Sequence, residues 1–334
     1  MPGRTVVLKE DGRIMFIFGP VPSRRLGRSL GLDTIPAKAC SYSCVYCQLG
    51  RTCSVQSARR RFCRPETIAV EVERAVRRLT ERGERIDYLT FVADGEPTLD
   101  LNLGREIELL RPLGIKIAVI TNSSLIWRSD VRAELALADW VSLKVDAVDG
   151  DAWHRINRPA ATLRLADFLG GMALFADEFT GTLTTETMLV SGINDSETEL
   201  EMLAAFLGEL KPDVSYVAVP IRPPTERWAT PPTAEALNRA VQIISGSVER
   251  VEYLTGYEGN DFTGSGDVTA DLLGITGVHP LREDAARELL VKAGSDWSEV
   301  ERLIDRGLLL ETTYDGRKFL LRMRPCAFPL KTMH

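Results

Sequence analysis

Cys40, Cys44 and Cys47 stand in the stretch Cys40-Ser41-Tyr42-Ser43-Cys44-Val45-Tyr46-Cys47, spaced C-x3-C-x2-C in a loop after a short apolar run. No other feature constrains the chain so strongly. Three thiolates this close can hold three corners of a cubane iron–sulfur cluster, and because such clusters normally take four cysteines, one iron stays open to a small molecule. The rival reading is a structural zinc site. Zinc wants four ligands in a closed tetrahedron, usually from two separated pairs, yet there is no second C-x2-C and the only histidines are His154, His279 and His334.

The chain of 334 residues is long enough for a large α/β domain and a small appendage. It shows no apolar run of membrane-spanning length and no charged-then-apolar leader, so a soluble, cytoplasmic protein with no membrane partner is expected. Six cysteines, three of them in one loop, do not resemble a disulfide framework and fit a reducing compartment. Charge is uneven. Residues 1–64 hold 12 Lys and Arg against 3 Asp and Glu, a balance of +9, so with -6 overall the other 270 residues carry -15. Positive charge around the cysteines favours an anionic substrate, a carboxylate-bearing cofactor or an acidic electron donor. The run Arg59 to Arg61 reads equally well as a solvated loop.

Val6 to Leu8 and Ile14 to Phe18 read as a hairpin around Glu10-Asp11-Gly12. Residues 19–31 carry too many breakers for a helix and lead into a first strand, Ser29 to Asp33. Helix and strand then alternate. Glu66 to Glu81 is a helix with Ile68, Val72, Val76 and Leu79 on one face and Pro65 suited to its first turn. Strands follow at Ile86 to Val92, Ile115 to Thr121, Trp140 to Asp146, Leu183 to Val190 and Val214 to Pro220. Helices alternate with them at Leu103 to Leu110, Asp130 to Ala138, Leu163 to Ala176, Ser196 to Leu210 and Thr233 to Ile244. Six such strands argue for parallel pairing with right-handed crossovers, an open (β/α)6 barrel. Its working residues belong on loops leaving the C-terminal strand ends.

The cysteine loop leaves the first strand, and Asp94-Gly95-Glu96-Pro97 leaves the second. Gly95 permits a close backbone approach and Pro97 holds Glu96 extended; the plain alternative is a turn whose acid caps the next helix. The cysteine spacing, with Tyr46 before the last cysteine, resembles the signature of the radical SAM superfamily. Gly95-Glu96-Pro97 resembles that superfamily's Gly-Gly-Glu-Pro motif, with Asp94 in place of the first glycine. The resemblance implies a partial (β/α)6 TIM-like barrel in which Cys40, Cys44 and Cys47 hold a [4Fe-4S] cluster. It also implies an S-adenosylmethionine (SAM) site drawn from Tyr46, Gly95, Glu96, Pro97 and the strand-end residues Asn122, Lys144 and Asp146. Read alone, Asn122, Lys144 and Asp146 are equally helix caps or an internal ion pair. Glu186 and Met188 share one facing of the fifth strand, Asn194-Asp195 follows it, and Arg222-Pro223-Pro224 leaves the sixth. His154 to Pro159 reads as a basic, solvated turn.

Residues 15–255 resemble the branch that contains the wyosine-forming tRNA enzyme. That enzyme's second cluster uses cysteines upstream of the main motif, and this chain has none before Cys40. Neither its pyruvate-dependent reaction nor a second cluster is therefore expected, and Cys53, Cys63 and Cys326 read as inert thiols rather than an auxiliary site. Residues 256–334 form a second unit. Glu258 to Asp267 reads as a linker, with helices at Ala270 to Leu273, Arg282 to Lys292 and Asp296 to Arg306. A hairpin, Leu308 to Thr313 with Arg317 to Arg322, turns at Asp315-Gly316. This resembles a winged-helix α+β domain, but its 10 basic against 13 acidic residues leave a poor footprint for nucleic acid. Protein contact or a lid is the expected role.

The resemblance implies an oxidoreductase-like chemistry in which flavodoxin or ferredoxin reduces the cluster. SAM is cleaved to methionine and a 5′-deoxyadenosyl radical, which abstracts hydrogen from a substrate. Glu96 would meet the SAM ammonium and Arg24 or Arg25 a carboxylate or phosphate. RNA, protein and small metabolite all stay open as substrates. The alternative is a winged-helix regulator with a redox-sensing cluster and no turnover.

Overall fold

The computed structural model describes residues 6–8, 14–52, 54–255, 267–278 and 280–323. The expected turn at residues 9–13, the linker at 258–266, Cys53, Cys326, His279 and His334 lie outside the described residues.

Nine strands form one sheet in sequential order, β1 (Val6–Leu8), β2 (Ile14–Ser23), β3 (Gly27–Asp33), β4 (Tyr88–Phe91), β5 (Lys116–Thr121), β6 (Trp140–Lys144), β7 (Thr182–Met188), β8 (Val214–Ala218) and β9 (Val251–Leu254). The first three pair antiparallel; from β3 onward every pairing is parallel. The expected βα repeats are present. Crossovers are carried by α1 (Pro65–Glu81), α2 (Leu103–Leu110), α3 (Ser129–Leu135), α4 (Gly150–Asn157), α5 (Leu165–Glu178), α6 (Glu197–Leu210) and α7 (Ala234–Ser245). The amphipathic pattern of α1 buries Ile68, Val72, Ala75 and Leu79 against the sheet. Its Pro65 occupies the first turn, where the missing N–H costs nothing.

Two elements depart from expectation. A seventh parallel strand, β9, joins the edge beside β8. It is four residues long and only Leu254 is buried, so it has too little periodicity to be read in advance. The expected solvated turn at His154 to Pro159 is instead the end of α4. Asp149 caps that helix by accepting a hydrogen bond from the Ala152 N–H at 2.9 Å, and Trp153, Ile156 and Asn157 are buried. His154 and Arg155 lie on the outer face, which gave the segment its loop-like polarity.

The C-terminal segment supplies α8 (Val268–Val278), β10 (Leu281–Arg282), α9 (Glu283–Lys292), α10 (Ser298–Asp305), β11 (Leu309–Tyr314) and β12 (Arg317–Arg322). Its three strands form an antiparallel sheet, with the β11–β12 turn at Asp315-Gly316 as expected. These elements share a small core of Leu272, Ile275, Leu281, Leu289, Leu303, Leu309 and Leu320. Val21 of β2 packs against it, so α8 is covered on both sides, which explains its almost unbroken apolar sequence. Among the described residues no helix is long and apolar enough to cross a membrane.

Part of the N-terminal positive charge is paired with acids of the rest of the barrel. Arg28 meets Glu84 at 2.7 Å and Arg51 meets Glu226 at 2.6 Å. The Arg59 side chain is 3% exposed. It donates to the Thr98 carbonyl at 2.8 Å, the Asp100 carbonyl at 2.6 Å, Asp130 Oδ2 at 2.9 Å and Glu134. Arg59 is thus a buried tie between the cysteine-loop exit, the loop after β4 and α3, while Arg61 is exposed. Arg59→Leu leaves these acceptors without their donor and is expected to cost about 3 kcal/mol, whereas Arg61→Leu should stay within about 0.5 kcal/mol of wild type. Urea unfolding midpoints of the two variants check this.

Candidate metal–sulfur centre

The cysteine loop is bonded to its neighbours before any ligand is considered. Lys38 N–H donates to the Asp94 carbonyl at 2.6 Å and Glu96 N–H to the Ala39 carbonyl at 2.9 Å, joining the loop to that after β4. Ser43 N–H donates to the Asn157 carbonyl at 3.0 Å and Val45 N–H to the Ile156 carbonyl at 2.9 Å, joining it to the end of α4. On the far side Glu226 N–H reaches the Val45 carbonyl at 2.9 Å and Thr225 Oγ1 donates to the Cys47 carbonyl at 2.7 Å. Lys38 takes a left-handed backbone with φ of 62°, which turns the chain into the loop.

The three sulfurs open on one cavity of about 370 Å³. Each has its own nitrogen donor: Lys38 Nζ stands 3.2 Å from Cys47 Sγ, Asn122 Nδ2 3.5 Å from Cys40 Sγ and Asn157 Nδ2 3.5 Å from Cys44 Sγ. Burial first, and the charge of Cys44 second, push the Cys40 thiol up to about 12. Burial and then the Asp146 carboxylate push Cys44 to about 12. Among the described residues no three Cys, His, Asp or Glu side chains converge on a single ion. A donor set of three soft sulfurs spread around one cavity, each facing an N–H, suits a multi-iron cluster with an open corner. Lys38 and Asn157 were not foreseen in this role. The φ of Lys38 and the left-handed Arg158 before Pro159 were not legible as site signals, because they depend on pairing with distant loops.

Of the expected SAM-site residues, Tyr46, Gly95 and Lys144 line the cavity, and Glu96, Pro97, Asn122 and Asp146 are not among its lining residues. A Cβ on Gly95 would lie 2.1 Å from the Ala39 oxygen, so only glycine lets this loop close on the cysteine loop. Glu96 is 1% exposed and turned inward. Its Oε1 accepts from Thr98 N at 3.0 Å, Thr98 Oγ1 at 2.6 Å and Thr121 Oγ1 at 2.6 Å, and its Oε2 from Asn122 N at 2.7 Å. Burial raises its pKa despite these donors. Glu96 therefore caps the short 3-10 turn Pro97–Leu99 and ties it to the end of β5.

Asp146 is a second tie. Its Oδ2 accepts from Tyr46 OH at 2.5 Å and Asn157 Nδ2 at 2.6 Å, and its Oδ1 from Met188 N at 2.8 Å. Asn194 supports it by donating to the Asp146 carbonyl at 2.7 Å. Lys144 Nζ lies 5.0 Å from the Tyr46 ring centre and 2.6 Å from Glu186 Oε1, while Arg25 Nη1 meets Glu186 Oε2 at 2.5 Å. Burial alone would raise the Glu186 carboxyl, but the Lys144 and Arg25 charges outweigh it and hold it at about 2. Glu186 and Met188, placed on one facing by the sequence, both line the cavity. Cys63 is buried, its Sγ 3.7 Å from the Thr34 carbonyl oxygen.

Fold and site together define a partial α/β barrel with three cysteines gathered on one cavity at its C-terminal strand ends. Residues 34–204 match the radical SAM superfamily. The chain is 47% identical over 307 residues to the UPF0026 protein MJ1312 of Methanocaldococcus jannaschii, covering 91% of this chain and 95% of that one. It is 39% identical over 209 residues to the UPF0026 protein slr1464 of Synechocystis sp., covering 62% of this chain and 76% of that one. In fold it is similar to a radical SAM methyltransferase from Sphaerobacter thermophilus, at TM-score 0.50 and 18% identity over 76% of each chain. The chain belongs to the radical SAM superfamily.

Two outcomes follow from the site. Gly95→Ala forces the Ala39 carbonyl away, which is expected to cost about 1–3 kcal/mol and to reduce iron bound per chain after reconstitution; calorimetry and iron analysis read both. In iron-free protein Cys40 and Cys44 should stay protonated until about pH 12, so their iodoacetamide labelling keeps accelerating with pH well past 9, where an ordinary thiol levels off. Because the folded pKa is the higher one, the stability these thiols contribute is complete below about pH 9 and lost as pH climbs toward 12. A labelling rate that levels off near pH 9 would contradict the burial argument.

Proposed function

We propose that this protein is a radical SAM enzyme in which Cys40, Cys44 and Cys47 hold a [4Fe-4S] cluster and the open iron takes SAM. The observation that carries the reading is the convergence of three sulfurs and the Gly95 loop on one cavity at successive strand ends. When bound, cluster and SAM supply one-electron chemistry, the reductive opening of a sulfonium S–C5′ bond and hydrogen abstraction from a substrate.

The chain's own residues then have separable tasks. Lys38, Asn122 and Asn157 direct N–H groups at the three sulfurs, and at Cys44 the Asn157 donor favours the anionic form against burial. Gly95 brings backbone polar groups to the cavity wall, and Glu96 keeps that loop in place from behind. Tyr46, oriented by Asp146, presents its ring beside Lys144. Val92, Ala93, Ile120 and Met188 supply apolar wall that keeps water from the reacting groups. The last turn of α8 also reaches the cavity: Val278 lines it, and Gln48 Nε2 donates to the Val278 carbonyl at 3.2 Å. This supports the lid role for the C-terminal segment. A flavodoxin or ferredoxin in a reducing cytoplasm is the proposed electron donor.

Anaerobic reconstitution, then dithionite and SAM, is expected to yield 5′-deoxyadenosine, and Cys44→Ala none. Wild-type protein that binds four irons per chain yet forms no 5′-deoxyadenosine would refute the reading.

A further inference from the structure

The cavity has a second, cationic end. The turn between β2 and β3 places Arg24 and Arg25 at the start of β3, while the cysteine loop leaves the end of that seven-residue strand, about 20 Å away along it. Both arginines line the same cavity as the cysteines. Arg25 is fixed: its side chain is 13% exposed, one nitrogen is on Glu186, and its guanidinium carbon lies 5.9 Å from the Trp140 ring centre and 5.8 Å from that of Tyr216. Yet its Nε is buried with no hydrogen-bond partner. Arg24 beside it is exposed and has no ion-pair partner among the described residues. Glu186 does not compensate this end, because Lys144 holds its other oxygen and two cations share the one carboxylate. A buried guanidinium with an idle N–H, next to a free guanidinium, has the donor geometry that recognises carboxylate or phosphate.

We propose that Arg24 and Arg25 form the substrate-anchoring subsite, which takes the carboxylate or phosphate of a small molecule and leaves its other end pointing along the lumen toward the cysteines. That this far end is the reacting end rests on the radical SAM reading above. A small molecule fits better than RNA. The chain carries -6 overall, and Arg24 and Arg25 line a cavity rather than a face that could track a phosphate backbone.

The test titrates reconstituted full-length protein by calorimetry at constant ionic strength with malonate, with pyrophosphate, with neutral malonamide and with a single-stranded oligonucleotide. Saturable binding of malonate or of pyrophosphate, with none of malonamide, is expected, and which anion binds tells carboxylate from phosphate. Arg24→Gln and Arg25→Gln should each weaken binding at least about fivefold, and Arg25→Lys, which keeps the charge but loses Nε, should recover only part of it. Arg24→Glu, at an exposed position, should abolish binding in a folded protein even if the Arg25 variants fold poorly. Equal affinity of wild type and Arg24→Glu, equal binding of malonamide, or binding of the oligonucleotide alone overturns the proposal. The same preparations are assayed for 5′-deoxyadenosine: its formation without anion binding sinks this proposal alone, and anion binding without it sinks only the radical SAM reading.

Discussion

Cys40 and Cys44, two thiols in a wall of low dielectric, face a conflict on which the site's design turns. Burial drives Cys40 and Cys44 toward the neutral thiol, with pKa values pushed up to about 12, whereas a metal ligand must be a thiolate. Exposure would relieve the conflict and admit water to the chemistry. The chain keeps the burial and opposes it locally, with one N–H donor per sulfur taken from three different places: the loop's own entry at Lys38, the end of β5 at Asn122 and the end of α4 at Asn157. Those donors work only if the three loops are held in mutual register, and the backbone bonds from Lys38 to Asp94, from Glu96 to Ala39 and from Ser43 to Asn157 supply that register.

The parallel barrel makes this arrangement available. Strands β3 to β6 are adjacent in the sheet and run the same way, so the loops that leave them emerge side by side. The buried carboxylates fit the same logic. Glu96 and Asp146 are held by donors of the chain itself and are not among the cavity's lining residues. Each fastens a loop through hydrogen bonds donated by the chain itself.

What the sequence made legible follows from how local each signal is. The cysteine spacing, Gly95-Glu96-Pro97 and the facing of Glu186 with Met188 are short-range patterns, and each marked a place the structure brings to the cavity or its wall. The six βα repeats were legible because their helices bury one regular stripe, as in α1. Asn157 was not legible in its role, since two outward basic residues, His154 and Arg155, masked a helix whose other face is buried. Arg59 was ambiguous for the same reason. Composition records its charge, while its four acceptors come from the loop after β4 and from α3, some 40 to 75 residues on. Strand β9 was missed because a four-residue edge strand with one buried side chain carries almost no period.

The cavity's two ends set limits on what can react inside it. At the strand ends, thiols, Tyr46 and Gly95 gather; at the start of β3, the arginines gather; between them Glu186 is shared by Lys144 above and Arg25 below. Both cations are largely buried, and burying them is tolerable only because that carboxylate stays ionised, with a pKa held near about 2 against its own desolvation. Glu186 therefore has little proton to give or take at neutral pH, which makes it a poor general acid or base. The ionic trio is better understood as a fixed part of the cavity wall, which the apolar side chains of Ile120 and Met188 complete. What separates the two ends is pairing: Lys144 and Arg25 both lean on Glu186, whereas Arg24 lines the cavity with no ion-pair partner among the described residues, and it is this difference, not the presence of a cation as such, on which the proposed anion subsite depends.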